Sequence, residues 1–236
     1  GSTFKVVTAS AAFDHDPSLV TKQYPRLKQL DIPRTDKDLP NFGGSSCGGT
    51  VADLLRVSCN TGFAQLGLDL GGTNRAAEAD AFGFNQRPPC DLPAAAASHF
   101  PEPSEFQKNE PSVAVSAIGQ QNGTATPLQM ALVAAAIANN GVIMKPRVLS
   151  QVTDEKGTVV RTAKAEEWRR ATSSGTAAAI KEMMIDVARR GTATRAQIAG
   201  VTVAAKTGTA QTVGNNAHAW LIGFAPAEAP QVAVAV

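Results

Sequence analysis

The chain has 236 residues, 43% hydrophobic and 18% charged, which suits a folded unit of one sizeable domain or two intimate lobes and excludes a disordered segment. A net charge of +2 provides no basic field of the kind that holds nucleic acid. Cys47, Cys59 and Cys90 share no Cys-x-x-Cys spacing, and His15, His99 and His218 lie far apart, so neither a metal site nor a cofactor is expected.

In chain order, residues 2–13 predict a helix with Ser2 as N-cap or first-turn residue and Phe4, Val7, Ala11 and Ala12 on its apolar face. Pro17, Pro25, Pro33 and Pro40 punctuate a polar loop that follows as far as Cys47. Residues 50–57 predict a second helix, with Thr50 as N-cap and Asp53 completing an imperfect capping box. Ser58-Cys59-Asn60 interrupts it, and a helix resumes over 61–68 until Gly71-Gly72 stops it. Six prolines between 85 and 115 predict a long irregular loop, of the kind that rims binding clefts. Thr126-Pro127 opens another helix, with Leu128, Ala131, Leu132, Ala135 and Ala138 toward the core and Asn140-Gly141 as its stop. Residues 147–161 predict a hairpin around Lys156-Gly157, and 172–190 a helix ended by Gly191. The last part is β-like: strands at 201–209, 217–224 and 231–236, with a turn at Gly214-Asn215-Asn216. No apolar run reaches the 18 or more residues of a membrane span; the best, 130–138, is half that. Both ends read as interior cuts.

Three short motifs carry chemistry. In Ser2-Thr3-Phe4-Lys5, residues i and i+3 of a helix share a face, so a hydroxyl and an amine come within reach of each other. A serine hydroxyl needs a base to become a nucleophile, and a neutral lysine serves once burial or a nearby cation lowers its pKa. Lys206 is the candidate cation. A Ser-x-x-Lys match arises about once by chance in a chain of this length, so it says little alone. In Ser58-Cys59-Asn60, Ser58 can relay a proton and Asn60 can donate to an amide carbonyl while holding the lysine, although serine and asparagine at a helix junction are more often caps. In Lys206-Thr207-Gly208, a strand offers a carboxylate anchor, a hydroxyl and a residue without a Cβ, and an extended peptide can pair along it.

The three in this order, on helix, helix junction and strand, form the signature set of penicillin-binding proteins and class A β-lactamases. The chain resembles the transpeptidase domain of class B penicillin-binding proteins over nearly its whole length, most of all the actinobacterial penicillin-binding protein A type. Gly119-Gln-Gln-Asn-Gly-Thr-Ala-Thr-Pro-Leu-Gln-Met-Ala131, Ile137-Ala-Asn-Asn-Gly141, Ala205-Lys-Thr-Gly-Thr-Ala-Gln211 and Ala219-Trp-Leu-Ile-Gly-Phe-Ala-Pro226 are all similar to that family. The resemblance implies an α+β fold, a helical lobe packed on an antiparallel sheet. It places one transpeptidase domain over 1–236, helical at about 1–140 and 172–191 and sheet at about 200–236, without the family's N- and C-terminal flanks. It implies a peptidoglycan D,D-transpeptidase in which Ser2 forms an acyl-enzyme from D-Ala-D-Ala stem peptides, with Lys5 as base. Ser58, Asn60 and Lys206 complete the catalytic set, and Thr207, Gly208 and Thr209 bind substrate. The backbone N–H groups of Ser2 and Thr209 form the oxyanion hole. β-Lactams acylate the same serine. The partners that the resemblance implies are stem peptides, β-lactams, and glycan-polymerising and division proteins. The setting is the extracytoplasmic face of the cell membrane, held by an anchor outside this chain.

Three rivals remain open at this point. A class A-like β-lactamase would need a glutamate-activated water, for which Glu105 and Asn109 offer a Glu-x-x-x-Asn match. A D,D-carboxypeptidase would use water in place of the acceptor amine. A sensor or binding module would acylate without turnover. Three cysteines leave at least one free thiol; one disulfide is compatible with the count, its pairing open, and Cys59 is expected to pack inward. Trp220 is expected to pack in the sheet, and the charges around Trp168 to form a solvated face.

Overall fold

A 3-10 turn, Ser2–Phe4, runs straight into helix α1, Lys5–His15, in a computed structural model that describes residues 1–93, 95–107, 109–211 and 217–236. From Lys5 to Ala12 every residue of α1 is buried. Alanine, valine, serine and threonine let neighbouring helices approach closely, and the buried hydroxyls find acceptors: Thr8 donates to the Ala117 carbonyl at 2.8 Å and Ser10 to that of Val6 at 3.0 Å. Packed against the helices Val51–Val57, Asn60–Ala81 and Ser174–Arg190, this helix is the axis of the helical part and rigidly carries the turn before it.

The polar stretch after α1 holds α2, Ser18–Thr21, and short strands β1, Tyr24–Leu27, β2, Gln29–Leu30, β3, Leu39–Pro40, and β4, Cys47–Gly49, paired β1–β4 and β2–β3. Helix α3, Val51–Val57, starts at Thr50, whose capping box with Asp53 forms as the spacing predicts. It ends at Ser58, which adopts the left-handed conformation (φ 57°, ψ 42°) at the C-cap, and α4, Asn60–Ala81, begins two residues later. Gly71 does not stop α4. It takes φ 74° and only kinks the helix, which continues because Arg75, Glu78 and Ala79 are buried beyond it and Gly72 lies against the Phe106 ring. Tertiary burial here overrides glycine's local preference.

Among its described residues the proline-rich stretch is irregular to about residue 109 apart from a 3-10 turn, Pro103–Phe106, but α5, Glu110–Ser116, then forms where loop is expected. Pro111 sits in its first turn, where a missing N–H costs nothing, and Asn109 caps it. Helix α6, Pro127–Ala138, has the expected Thr126 cap and Pro127 start. Its buried apolar residues, however, are Met130, Leu132, Val133, Ala134, Ala136 and Ile137, while Leu128, Ala131, Ala135 and Ala138 are only partly covered. An almost wholly apolar helix packed between strands and the helix Ser174–Arg190 has no single face to read from periodicity.

Strands β5, Val142–Met144, and β8, Glu167–Arg170, pair with each other, and β6, Gln151–Thr153, and β7, Val159–Thr162, make the hairpin predicted at Gly157. Helix α7, Ser174–Arg190, ends before Gly191. Three antiparallel strands complete the chain, β9, Ala204–Gln211, β10, Ala217–Ala225, and β11, Val232–Ala235, in the order β11-β10-β9, with α6 and α7 against them. Strand β9 starts three residues later than its predicted boundary, and the turn expected at residues 214–216 lies outside the described residues. Among the described residues no helix is long and apolar enough to cross a membrane.

Cys47 and Cys59 form a disulfide and Cys90 is free. Cys59 is buried, as expected, but as half of a crosslink, a pairing its sequence position inside a motif did not disclose. The bond ties β4 to the corner between α3 and α4 across 12 residues of sequence. Its removal in a Cys47→Ala/Cys59→Ala pair is expected to lower stability by about 2–4 kcal/mol. Urea unfolding of oxidised protein and variant measures this, and equal midpoints would contradict it.

Candidate active site

Four polar side chains from four segments meet above the first turn of α1. The Lys5 amine is completely buried and donates to the Ser58 carbonyl at 2.8 Å, to Asn60 Oδ1 at 2.7 Å and, at the longer distance of 3.4 Å, to Ser58 Oγ. Across from it the equally buried Lys206 amine donates to Ser58 Oγ at 2.9 Å and to the Thr207 carbonyl at 2.8 Å. The Ser58 hydroxyl therefore lies between two amines. The left-handed turn at Ser58 presents its carbonyl to Lys5, and a residue with a Cβ is held there at some conformational cost.

Neither lysine is an ordinary ammonium. Burial pushes Lys5 well below the usual lysine value of 10.5, and the nearby Lys206 charge pushes it further. The sequence nominated Lys206 as the cause; desolvation comes first and Lys206 second. Burial brings Lys206 itself down to about 7. Lys5 also lies 5.5 Å from the centre of the Phe63 ring, a contact that favours its charged form and opposes the other two. The site can thus hold one lysine neutral and the other poised between states near neutral pH.

Ser2 sits half-buried in the 3-10 turn, which packs against β9 and β10. Its hydroxyl is hydrogen-bonded to no other group among the described residues, so Ser2 and Lys5 are neighbours by helical geometry, as in free sites where the nucleophile–base contact tightens only with ligand. Thr207 Oγ1 pairs with Thr192 Oγ1 at 2.6 Å, and the Thr209 carbonyl accepts from Gln120 at 3.4 Å. On the far side of the turn a cavity of about 410 Å³ opens, bounded in part by Thr3, Phe4, Gln120, His218 and Trp220; among the described residues its wall holds no lysine, arginine or carboxylate. Trp220 therefore both packs in the sheet and faces this cavity.

The family model for the penicillin binding protein transpeptidase domain matches residues 1–236. The chain belongs to this family. The penicillin-binding-protein fold read from the motifs holds in three dimensions as well. The D,D-transpeptidase domain of a peptidoglycan glycosyltransferase from Eggerthella lenta superposes with a TM-score of 0.93 at 34% identity, over 100% of this chain and 59% of that one. Penicillin-binding protein A of Mycobacterium tuberculosis, solved as an imipenem acyl-enzyme complex, gives 0.92 at 34% identity over 100% and 54%. Among curated relatives, peptidoglycan D,D-transpeptidase PbpA of Mycolicibacterium smegmatis is 38% identical over 244 residues, 100% of this chain and 48% of the relative. The penicillin-binding protein A resemblance agrees with this, and the chain spans about half the length of the curated relatives it matches.

Within this transpeptidase domain the Glu-x-x-x-Asn match dissolves into helix capping. Glu105 is exposed and accepts from the Glu102 N–H at 2.9 Å, while Asn109 accepts from Ser112. The 3-10 turn carrying Glu105 packs on α4 and α5. Sequence reasoning missed Asn41, Thr192 and Gln120, because each reaches the motifs through a contact distant in sequence. It also missed why the third motif needs glycine against the nucleophile turn. A Cβ on Gly208 would stand 3.0 Å from Thr3 Cγ2 and from the Thr3 nitrogen. Gly208→Val is expected to part β9 from the turn by about 1 Å and slow acylation about 10²-fold with the fold retained. Stopped-flow acylation by a chromogenic cephalosporin reads this, and a wild-type rate would refute it.

Proposed function

We propose that this chain is the catalytic unit of a peptidoglycan D,D-transpeptidase that acylates on Ser2. One observation carries the reading: a fully buried amine, Lys5, one helical turn after a half-buried serine and bonded to Ser58 and Asn60, with a second buried amine on Ser58. Such an arrangement suits general-base activation of a hydroxyl and proton return to a leaving amine.

The geometry supports the following steps. Ser2 Oγ attacks the penultimate D-Ala carbonyl and its proton passes to the neutral Lys5 amine. The oxyanion is met by the backbone N–H groups of Ser2 and Thr209. When the C–N bond to the terminal D-Ala breaks, the leaving nitrogen takes a proton through Ser58 Oγ, which bridges the two lysines. An acceptor amine then attacks the ester and gives one proton to Lys5; the C–O bond to Ser2 breaks as the new C–N bond forms, and Lys5 returns that proton to Ser2 Oγ. Asn60 Oδ1 holds Lys5, and of the two N–H bonds on its Nδ2 one donates to the Pro40 carbonyl, which leaves the other for the substrate carbonyl. Lys206, with Thr207, anchors the terminal carboxylate, and β9 pairs with the extended donor past Gly208 and Thr209. The cavity beside the turn, whose described wall holds no lysine, arginine or carboxylate, fits a portion of the donor that carries no charge. β-Lactams enter by the same attack. We place the enzyme on the extracytoplasmic face of the cell membrane, working beside glycan-polymerising and division proteins and anchored by a segment outside this chain.

The test supplies the intact protein with a stem peptide ending in D-Ala-D-Ala and an amine acceptor. Mass spectrometry should find released D-Ala and an equal amount of the peptide–acceptor dimer. Released D-Ala with only hydrolysed donor would make it a carboxypeptidase, and a stable acyl-enzyme with no product would make it a sensor.

A further inference from the structure

Asn41 belongs to none of the three motifs, yet it organises one of them. Helix α4 opens at the Ser58-Cys59-Asn60 corner, and the first N–H groups of any helix need acceptors from outside its own ladder. The N-cap residue, Cys59, supplies none from its side chain, because its sulfur is joined to Cys47. Asn41 does so from another loop. Its Oδ1 accepts from the Asn60 N–H at 2.9 Å and from the Thr61 N–H at 3.0 Å. Its Nδ2 donates to the Leu27 carbonyl at 2.8 Å and to the Ser45 carbonyl at 3.0 Å. Two donors on one side and two carbonyls on the other fix which way the amide points. The residue is buried, so these four bonds are not exchanged for water.

The same segment also holds the Asn60 side chain. The Pro40 carbonyl accepts from Asn60 Nδ2 at 3.1 Å, while Asn60 Oδ1 accepts from Lys5 at 2.7 Å. Residues 40 and 41 thus set both the backbone position of Asn60 and the rotation of its amide, and through the corner the place of Ser58 between the lysines.

We infer that Asn41 is a positioning residue for acyl transfer: it caps α4 in place of the crosslinked Cys59 and thereby aims Asn60 and Ser58. This rests on the acyl-transfer function proposed above. A merely stabilising residue would lower the folded fraction and leave the rate of folded molecules alone. A positioning residue lowers that rate, and does so only while Asn60 is present to be positioned.

The test compares second-order acylation by a fluorescent penicillin in the intact protein, with folded fraction followed by circular dichroism. Asn41→Ala is expected to acylate about 10–10²-fold more slowly per folded molecule. In an Asn60→Ala background the same change should cost no more than about twofold, because the two act as one unit. Asn41→Asp keeps the acceptor and should acylate within about threefold of wild type, although loss of the Leu27 and Ser45 bonds makes it less stable. Wild-type rates in Asn41→Ala, multiplying losses in the double variant, or Asn41→Asp as slow as Asn41→Ala would each overturn the inference. Should Asn41→Ala not fold, Asn41→Asp decides alone: a loss beyond about tenfold in folded protein overturns it. A wild type that never labels would sink the acyl-transfer reading itself, whereas a labelled wild type with indifferent variants sinks only the role of Asn41.

Discussion

Lys5→Gln in the intact protein is expected to acylate about 10³-fold more slowly than wild type, the size of effect that a positioned general base supplies. Glutamine retains a donor that can reach the Ser58 carbonyl or Asn60 Oδ1, so the contacts of the lysine amine are partly preserved while its basicity is lost. It also removes a group whose charged form is disfavoured by complete burial, so the fold should not suffer. Stopped-flow acylation measures the rate. A variant within tenfold of wild type would mean that something other than Lys5 takes the Ser2 proton.

The second large effect is in pH. Acylation efficiency, read as kcat/KM or its single-turnover equivalent, reports the ionisation of the free site. On the acid side it should rise as Lys5 gives up its proton, far below the usual lysine range because burial and then Lys206 disfavour the charge. On the alkaline side it should fall as Lys206, at about 7, loses the charge that captures the substrate carboxylate. The decline should approach tenfold per pH unit, and Lys206→Arg should remove it, since a guanidinium stays charged throughout. An alkaline limb unchanged in Lys206→Arg would contradict the assignment. Stability should move the opposite way across the alkaline limb. The unfolded lysine keeps its proton up to 10.5 while the folded one releases it at about 7, so between these values the unfolded state binds more protons. The cost of burying Lys206 is therefore whole below 7 and fades as pH rises toward 10.5. The stability of wild type relative to Lys206→Met should accordingly improve across that window.

How far the sequence disclosed the site depended on the range of each interaction. Ser2 and Lys5 are three apart on one helical turn, and Thr50 with Asp53 is a capping spacing, so local geometry was enough. The hairpin at Gly157 and the helix before Gly191 were legible for the same reason. That Ser58, Asn60 and Lys206 converge on Lys5 was legible only through the family's motif order, since 53 residues separate Lys5 from Ser58 and 148 separate Ser58 from Lys206. What failed was decided by burial. Gly71 kinks a helix that packing sustains, Pro111 occupies a first turn that tolerates it, and α6 is covered on too many sides for a single apolar face to show. The Cys47–Cys59 bond and the Asn41 cap join segments that carry no mutual signal in composition or spacing.

The central claim is that Ser2 is the nucleophile, and intact-protein mass spectrometry after penicillin treatment, with peptide mapping, tests it most directly. The account predicts one adduct per chain, on the peptide containing Ser2, persisting for hours and absent from Ser2→Ala. Folded protein that gains no adduct, or gains it on another residue, would contradict the account.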